Sequence, residues 1–348
     1  LLNLFRQNTI LSTLLLVVIA ILLKLPVLLW PHPYAFIQTA PLANTLFTFL
    51  QTIPNYIFIS YIAATVLLVI QAIYLNYIVI QHGILYKETL LPGLFFIIIN
   101  SLYPEQAELT PQLISNTFII LMFQRLCFLY ESPNPLLIVL DAGMYLGLAL
   151  LFNYDVAVFL PYILISVVVF TSFNVRYLAL SIIGIAIPLY FAAVIFYLND
   201  QLGEVVAFTR HSLERTLLKS APASYDLLIP AVVLLPLVLF SAVNLQLNFF
   251  RNKVKTRRIL QSIILLFLFG ALGLVIENTN FIYALFYLSI PLSIVVAYYF
   301  ISDKRLIIKE ILFFILIGLC IYYNVRPDRT KAPESTGYQI PSTPFSLV

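Results

Sequence analysis

ILSTLLLVVIAILLKLPVLLW, Ile10 to Trp30, decides the class of this chain. Lys24 is the only charge among these 21 residues. About 20 consecutive apolar residues in a helix cross the ~30 Å hydrocarbon core of a bilayer. The run is too long for the apolar core of a signal peptide, and Trp30-Pro31-His32-Pro33 comes after it with no small-x-small cleavage pattern. It reads as a retained first span.

The same pattern fills most of the chain beyond Trp30. Apolar runs lie at Ile10–Trp30, Tyr56–Val79, Glu88–Tyr103, Leu109–Phe128, Pro135–Phe152, Asp155–Phe170, Arg176–Leu198, Leu227–Phe249, Ile259–Ile276, Phe281–Phe300 and Leu306–Tyr323. The third, fifth and sixth are short, so they are either thin spans or include a re-entrant pair, and the total lies between nine and eleven. Of the 348 residues, 62% are hydrophobic and 10% charged, and the mean hydropathy is +1.01. No soluble core hides that much apolar surface. The runs are continuous rather than alternating, which excludes a β-barrel. The fold class is therefore all-α: a polytopic integral membrane helix bundle of about eleven spans. Asn174 before Arg176, and Ser132 or Asn134 before Pro135, are suited to cap helices.

The charges give the bundle a direction. With the N-terminus in the cytoplasm and eleven crossings, twelve of the 19 cations fall at cytoplasmic ends. Five of them, Arg251, Lys253, Lys255, Arg257 and Arg258, crowd one short loop, and short basic loops stay inside. This predicts N-in and C-out in a bacterial inner (cytoplasmic) membrane. Residues 1–324 form one transmembrane domain with outer surface-helix segments at 31–55 and 199–226. Residues 325–348, polar and proline-rich, read as a disordered tail or a contact for a membrane-protein partner. No basic stripe of the nucleic-acid-binding kind is present. Cys127 and Cys320 fall near opposite faces and read as packing residues rather than a disulfide.

Few polar groups remain to carry chemistry. Lys24 lies about two turns inside the first span, where it either snorkels to the outer interface or serves a function. Asp141 lies two turns inside the fifth span and needs a partner there, with Gly143 and Gly147 predicting close helix packing beside it. Glu105 and Glu108, three apart in the second outer loop, are a candidate general base or a site for a divalent cation; the alternative is interfacial loop charge. Arg210, His211, Arg215 and Lys219 recur at helical spacing on an outer segment and suit a phosphate or lipid head group. No dinucleotide, P-loop, nucleophile-elbow or zincin motif is present, so no soluble cofactor is expected.

Two stretches carry a resemblance. One runs from Thr110-Pro111-Gln112-Leu113-Ile114-Ser115-Asn116 to Gln124-Arg125-Leu126. The other is Asp141-Ala142-Gly143-Met144-Tyr145-Leu146-Gly147-Leu148-Ala149, running into Leu151-Phe152-Asn153-Tyr154. Together they resemble the mid-region of GT-C-type glycosyltransferases and polysaccharide polymerases. The whole chain also resembles an uncharacterised family of bacterial polytopic inner-membrane proteins of similar length. The GT-C resemblance implies a sugar transferred from a polyprenyl-phosphate carrier on the outer face, with a loop carboxylate as base. In that family the acid sits in the first outer loop. Here Pro31–Asn55 contains no Asp or Glu, so the role passes to Glu105 or Glu108. Two other readings stand beside it: a non-catalytic subunit or scaffold of a cell-envelope complex, and a transporter of an amphiphilic or lipid substrate in which Lys24 and Asp141 share a cavity.

Overall fold

A computed structural model describes residues 2–29, 40–171, 173–203, 205–206, 236–241, 243, 253–276, 281–301 and 306–325. A single turn, α1 (Leu2–Phe5), precedes α2 (Ile10–Leu29), α3 (Pro41–Gln51), α4 (Tyr56–Gln81), α5 (Leu91–Ile99) and α6 (Pro111–Leu129). Then come α7 (Pro135–Phe152), α8 (Leu160–Thr171), α9 (Val175–Leu198), α10 (Val254–Ile276), α11 (Phe281–Phe300) and α12 (Leu306–Val325). Among the described residues the secondary structure is entirely helical, and 8 helices have the length and hydropathy to cross a membrane. The protein is a polytopic membrane helix bundle. In lipid only structures that pair their own backbone groups can span, and continuous helices do so.

Local chemistry sets the boundaries. Pro111 and Pro135 open α6 and α7 at positions where a missing N–H costs nothing. Thr110 Oγ1 accepts from the Leu113 N–H at 3.1 Å, and Asn174 Oδ1 accepts from the Arg176 N–H at 2.9 Å, the cap expected there. Ser132 instead accepts from the Asn134 N–H, outside α7. The expected sixth span reaches 18 residues because a 3-10 turn, Tyr154–Phe159, leads into α8. Within the first outer segment, α3 is amphipathic and buries Pro41, Ala43, Asn44 and Phe47.

The third expected span departs from a simple helix. Its helical part, α5, has 9 residues, all buried. At ~1.5 Å per residue that is about half the thickness of the core. The helix ends where the Asn100 side chain turns back to donate to Phe96 O at 2.9 Å, and Pro104 then opens a 3-10 turn, Pro104–Gln106. Residues 100–110 form an irregular leg that carries the chain from α5 to α6. Irregular backbone is tolerated at this depth only when protein covers it. From Thr89 to Leu113 every residue is buried except Glu105, which is half-buried.

Contacts between elements sort their ends into two groups. At one end, Thr89 Oγ1 donates to Phe5 O at 2.8 Å, Arg6 donates to Phe300 O at 2.9 Å, and Thr256 Oγ1 donates to Gly83 O at 3.5 Å. Arg258 reaches Val169 O, and Lys255 pairs with Glu131 at 2.8 Å. At the other end, Gln106 Nε2 donates to Ile282 O at 3.2 Å, Asn324 Nδ2 to Ser101 O at 2.9 Å, and Asn153 to the Tyr287 hydroxyl. The first end gathers cations and the second carries Glu105, Glu108 and Asp155. Consequently α4 and α6 run parallel, with Ser60 beside Leu109 and His82 against Phe128, and the α5 leg passes back between them.

The seam between α7 and α9 bears out the glycine expectation. A methyl group on Gly143 would overlap the Ser181 carbonyl, and one on Gly184 would overlap the Leu140 carbonyl. The backbones touch where side chains would hold them apart. Cys127 and Cys320 are both buried free thiols. The expected span at 227–249, the surface helix at 199–226 and the tail at 326–348 lie wholly or largely outside the described residues.

Candidate functional site

The irregular leg gathers several of the polar groups singled out in the sequence. Lys24 is 5% exposed and does not snorkel; it points into the protein, where Nζ donates to Gln106 O at 3.3 Å. One turn further along α2, Val27 packs with Ala107 of the leg and Tyr61 of α4. The Tyr61 hydroxyl donates to Glu108 Oε1 at 3.0 Å, and Glu108 is 4% exposed. Gln106 ties the turn together: its Oε1 accepts from the Tyr103 N–H at 3.3 Å, while its Nε2 reaches α11. A lysine and a glutamate side chain are thus sequestered in one polar cluster, held by α2, α4, the leg and α11.

Glu105 and Glu108 do not form an exposed pair. Glu105 sits inside the 3-10 turn and is half-buried, whereas Glu108, two residues past its end, accepts from Tyr61 in the interior. Tyr61, Gln106 and Ser60 are members of this cluster that residue type alone did not single out. No motif links Tyr61 with Glu108, 47 positions away; the only hint was that Gln106 sits between two acids.

Asp141 lies toward the other end. Its Oδ2 is 3.5 Å from Arg125 Nε, and both side chains are more than a third exposed. An opening of about 260 Å³ beside this pair is lined by Arg125, Phe128, Glu131, Ser132 and Ile138. Glu131 is held below the usual carboxylate range, chiefly by its hydrogen bond with Lys255. His82 stacks edge-on against Phe128 with ring centroids 4.6 Å apart. Burial, reinforced by Lys255, pulls the His82 imidazole down to about 4. Lys24 and Asp141 therefore do not share a cluster. Arg210, His211, Arg215 and Lys219 lie outside the described residues. Among the described residues no three His, Cys, Asp or Glu side chains converge as a metal site.

No curated protein and no solved structure matches the chain. Residues 35–328 match the model of DUF6427, described as a family of unknown function, and the chain belongs to that family.

Proposed function

We propose that this protein works in the inner membrane of a bacterium, N-in and C-out with about eleven crossings, and handles an amphiphile with an anionic head group at the Lys24–Glu108 cluster. The cation-rich end would face the cytoplasm, as the distribution of basic residues favours. A polyprenyl-phosphate-linked sugar is the substrate class that fits best, with Lys24 facing the phosphate and Glu108 or Glu105 acting as base in a GT-C-like transfer. Arg210, His211, Arg215 and Lys219 would extend the same phosphate-binding surface.

The observation that carries this reading is the state of Lys24. An ammonium has three protons to donate, and Lys24 makes one hydrogen bond among the described residues, to a neutral carbonyl. No acid is paired with Lys24 among the described residues, so a charge on it is costly to bury, and an anionic head group would offset that cost. The test is native mass spectrometry of the protein in nanodiscs doped with polyprenyl phosphate. Retention of the phosphate by the wild type and about tenfold weaker retention by Lys24→Met would support the reading. Equal retention by both would contradict it.

The broken third crossing favours a second reading, in which the amphiphile is moved rather than modified. Interrupted helices line the substrate sites of many transporters. Glu105→Gln and Glu108→Gln together separate the two: they abolish transfer, whereas transport that depends on Lys24 persists.

A further inference from the structure

The break after α5 is rich in acceptors. Asn100 uses its amide N–H on Phe96 O, the Ser101 N–H goes to Ile98 O at 3.2 Å, and Cys320 Sγ adds a second contact to Ile98 O at 3.4 Å. Asn324 supplies its donor to Ser101 O. Among the described residues Asn100 Oδ1 and Ser101 Oγ are buried with no hydrogen-bond partner, on residues 0% and 3% exposed. The described hydrogen bonds reach the carbonyls of Phe96 and Ile98 but not those of Ile97 and Ile99. These oxygens belong to residues at and just past the C-terminus of α5, where the aligned peptide dipoles present their negative end.

Buried acceptors left unmatched cost roughly 1–3 kcal/mol each, so something should occupy the break. The oxygens are neutral, which suits a single positive charge. A divalent ion calls for carboxylates, and no cluster of these is present among the described residues. We propose that the break at residues 97–101 binds a monovalent cation through Asn100 Oδ1, Ser101 Oγ and the exposed end of the α5 carbonyl ladder. Sodium, the smaller ion, needs the least room beside residues 91–104, all of them buried. Half-helix ends and unwound carbonyls are the groups that hold such ions in membrane proteins. The site is separate from the Lys24 ammonium, which bonds the leg at Gln106, and it does not rest on the amphiphile reading.

The test is thermal unfolding of the purified full chain in choline chloride, titrated with NaCl or KCl at constant ionic strength. Sodium should raise Tm saturably by a few degrees, more than potassium does. Asn100→Ala and Ser101→Ala should lose the sodium-specific part, while Lys24→Met keeps it. Should those two variants fail to fold, equilibrium binding of radioactive sodium to the wild type decides: stoichiometric, saturable uptake supports the site. The same Tm in all three salts, or no saturable uptake, overturns it and leaves a water-filled helix end.

Discussion

Lys24 Nζ lies 3.3 Å from the carbonyl oxygen of Gln106, so the first membrane-length helix is tied by its only ionisable side chain to the irregular leg after α5. A charge buried there with no paired acid is expensive, and a bound anion would offset the cost. Lys24→Met, which keeps the length and removes the charge, should leave Tm unchanged or raise it in ligand-free detergent. The same substitution should remove the stabilisation produced by added polyprenyl phosphate. Thermal unfolding with and without that lipid measures both effects.

The Tyr61–Glu108 bond predicts a coupled pair. Tyr61→Phe strips a donor from a buried carboxylate and should cost about 1–3 kcal/mol. After Glu108→Gln, the added cost of Tyr61→Phe should fall, because a neutral amide needs the hydroxyl less. A double-mutant cycle reads the difference; additive costs would show that the two side chains do not interact.

Close contact of α7 with α9 predicts a contrast between glycines. Gly184→Ala places a methyl group into the Leu140 carbonyl and should cost about 1–3 kcal/mol. Gly273→Ala, on α10, has nothing within 4 Å of the new methyl and should be neutral or slightly stabilising. Unfolding of the two variants side by side tests the seam.

His82 gives the bundle an acid-sensitive end. Its folded-state pKa is depressed to about 4 by burial and by Lys255, below the 6.5 of a free imidazole. Stability that depends on neutral His82 is therefore fully present above pH 6.5 and is lost as pH falls from there toward 4. Glu131, also depressed, contributes through Lys255 above its ordinary value of 4.5 and loses that contribution at lower pH. His82→Phe should flatten the Tm profile between pH 6.5 and about 4 and leave the steeper fall below it. An unchanged profile would place the acid sensitivity elsewhere.

The membrane character of the chain was legible because apolar length alone reports it, and the cap at Asn174 is local enough to read from neighbouring residues. The break in the third crossing was half legible. Pro104 and the shortness of Glu88–Tyr103 marked it, but apolarity cannot tell a helix from a covered irregular stretch of backbone. What Lys24 faces was not legible, because that depends on Gln106, 82 positions away, and on which side of α2 meets the leg. The different burial of Glu105 and Glu108 follows from a 3-10 turn that contains the first acid and ends two residues before the second. The need of Asp141 for a partner was legible from its depth in an apolar run, but nothing in its own surroundings pointed to Arg125.

The irregular leg packs against α2 and brings Lys24, Tyr61 and Glu108 into one cluster, and the functional proposal stands on that packing. Val27 of α2 and Ala107 of the leg meet there. The direct measurement is disulfide formation between Val27→Cys and Ala107→Cys in a background lacking Cys127 and Cys320, in native membranes under mild oxidation. A near-complete intramolecular cross-link, with none between Val27→Cys and a cysteine at Ser132 of the opposite end, is the predicted result. Failure of the Val27–Ala107 pair to cross-link in folded protein would contradict the packing of the leg on α2 and the cluster with it.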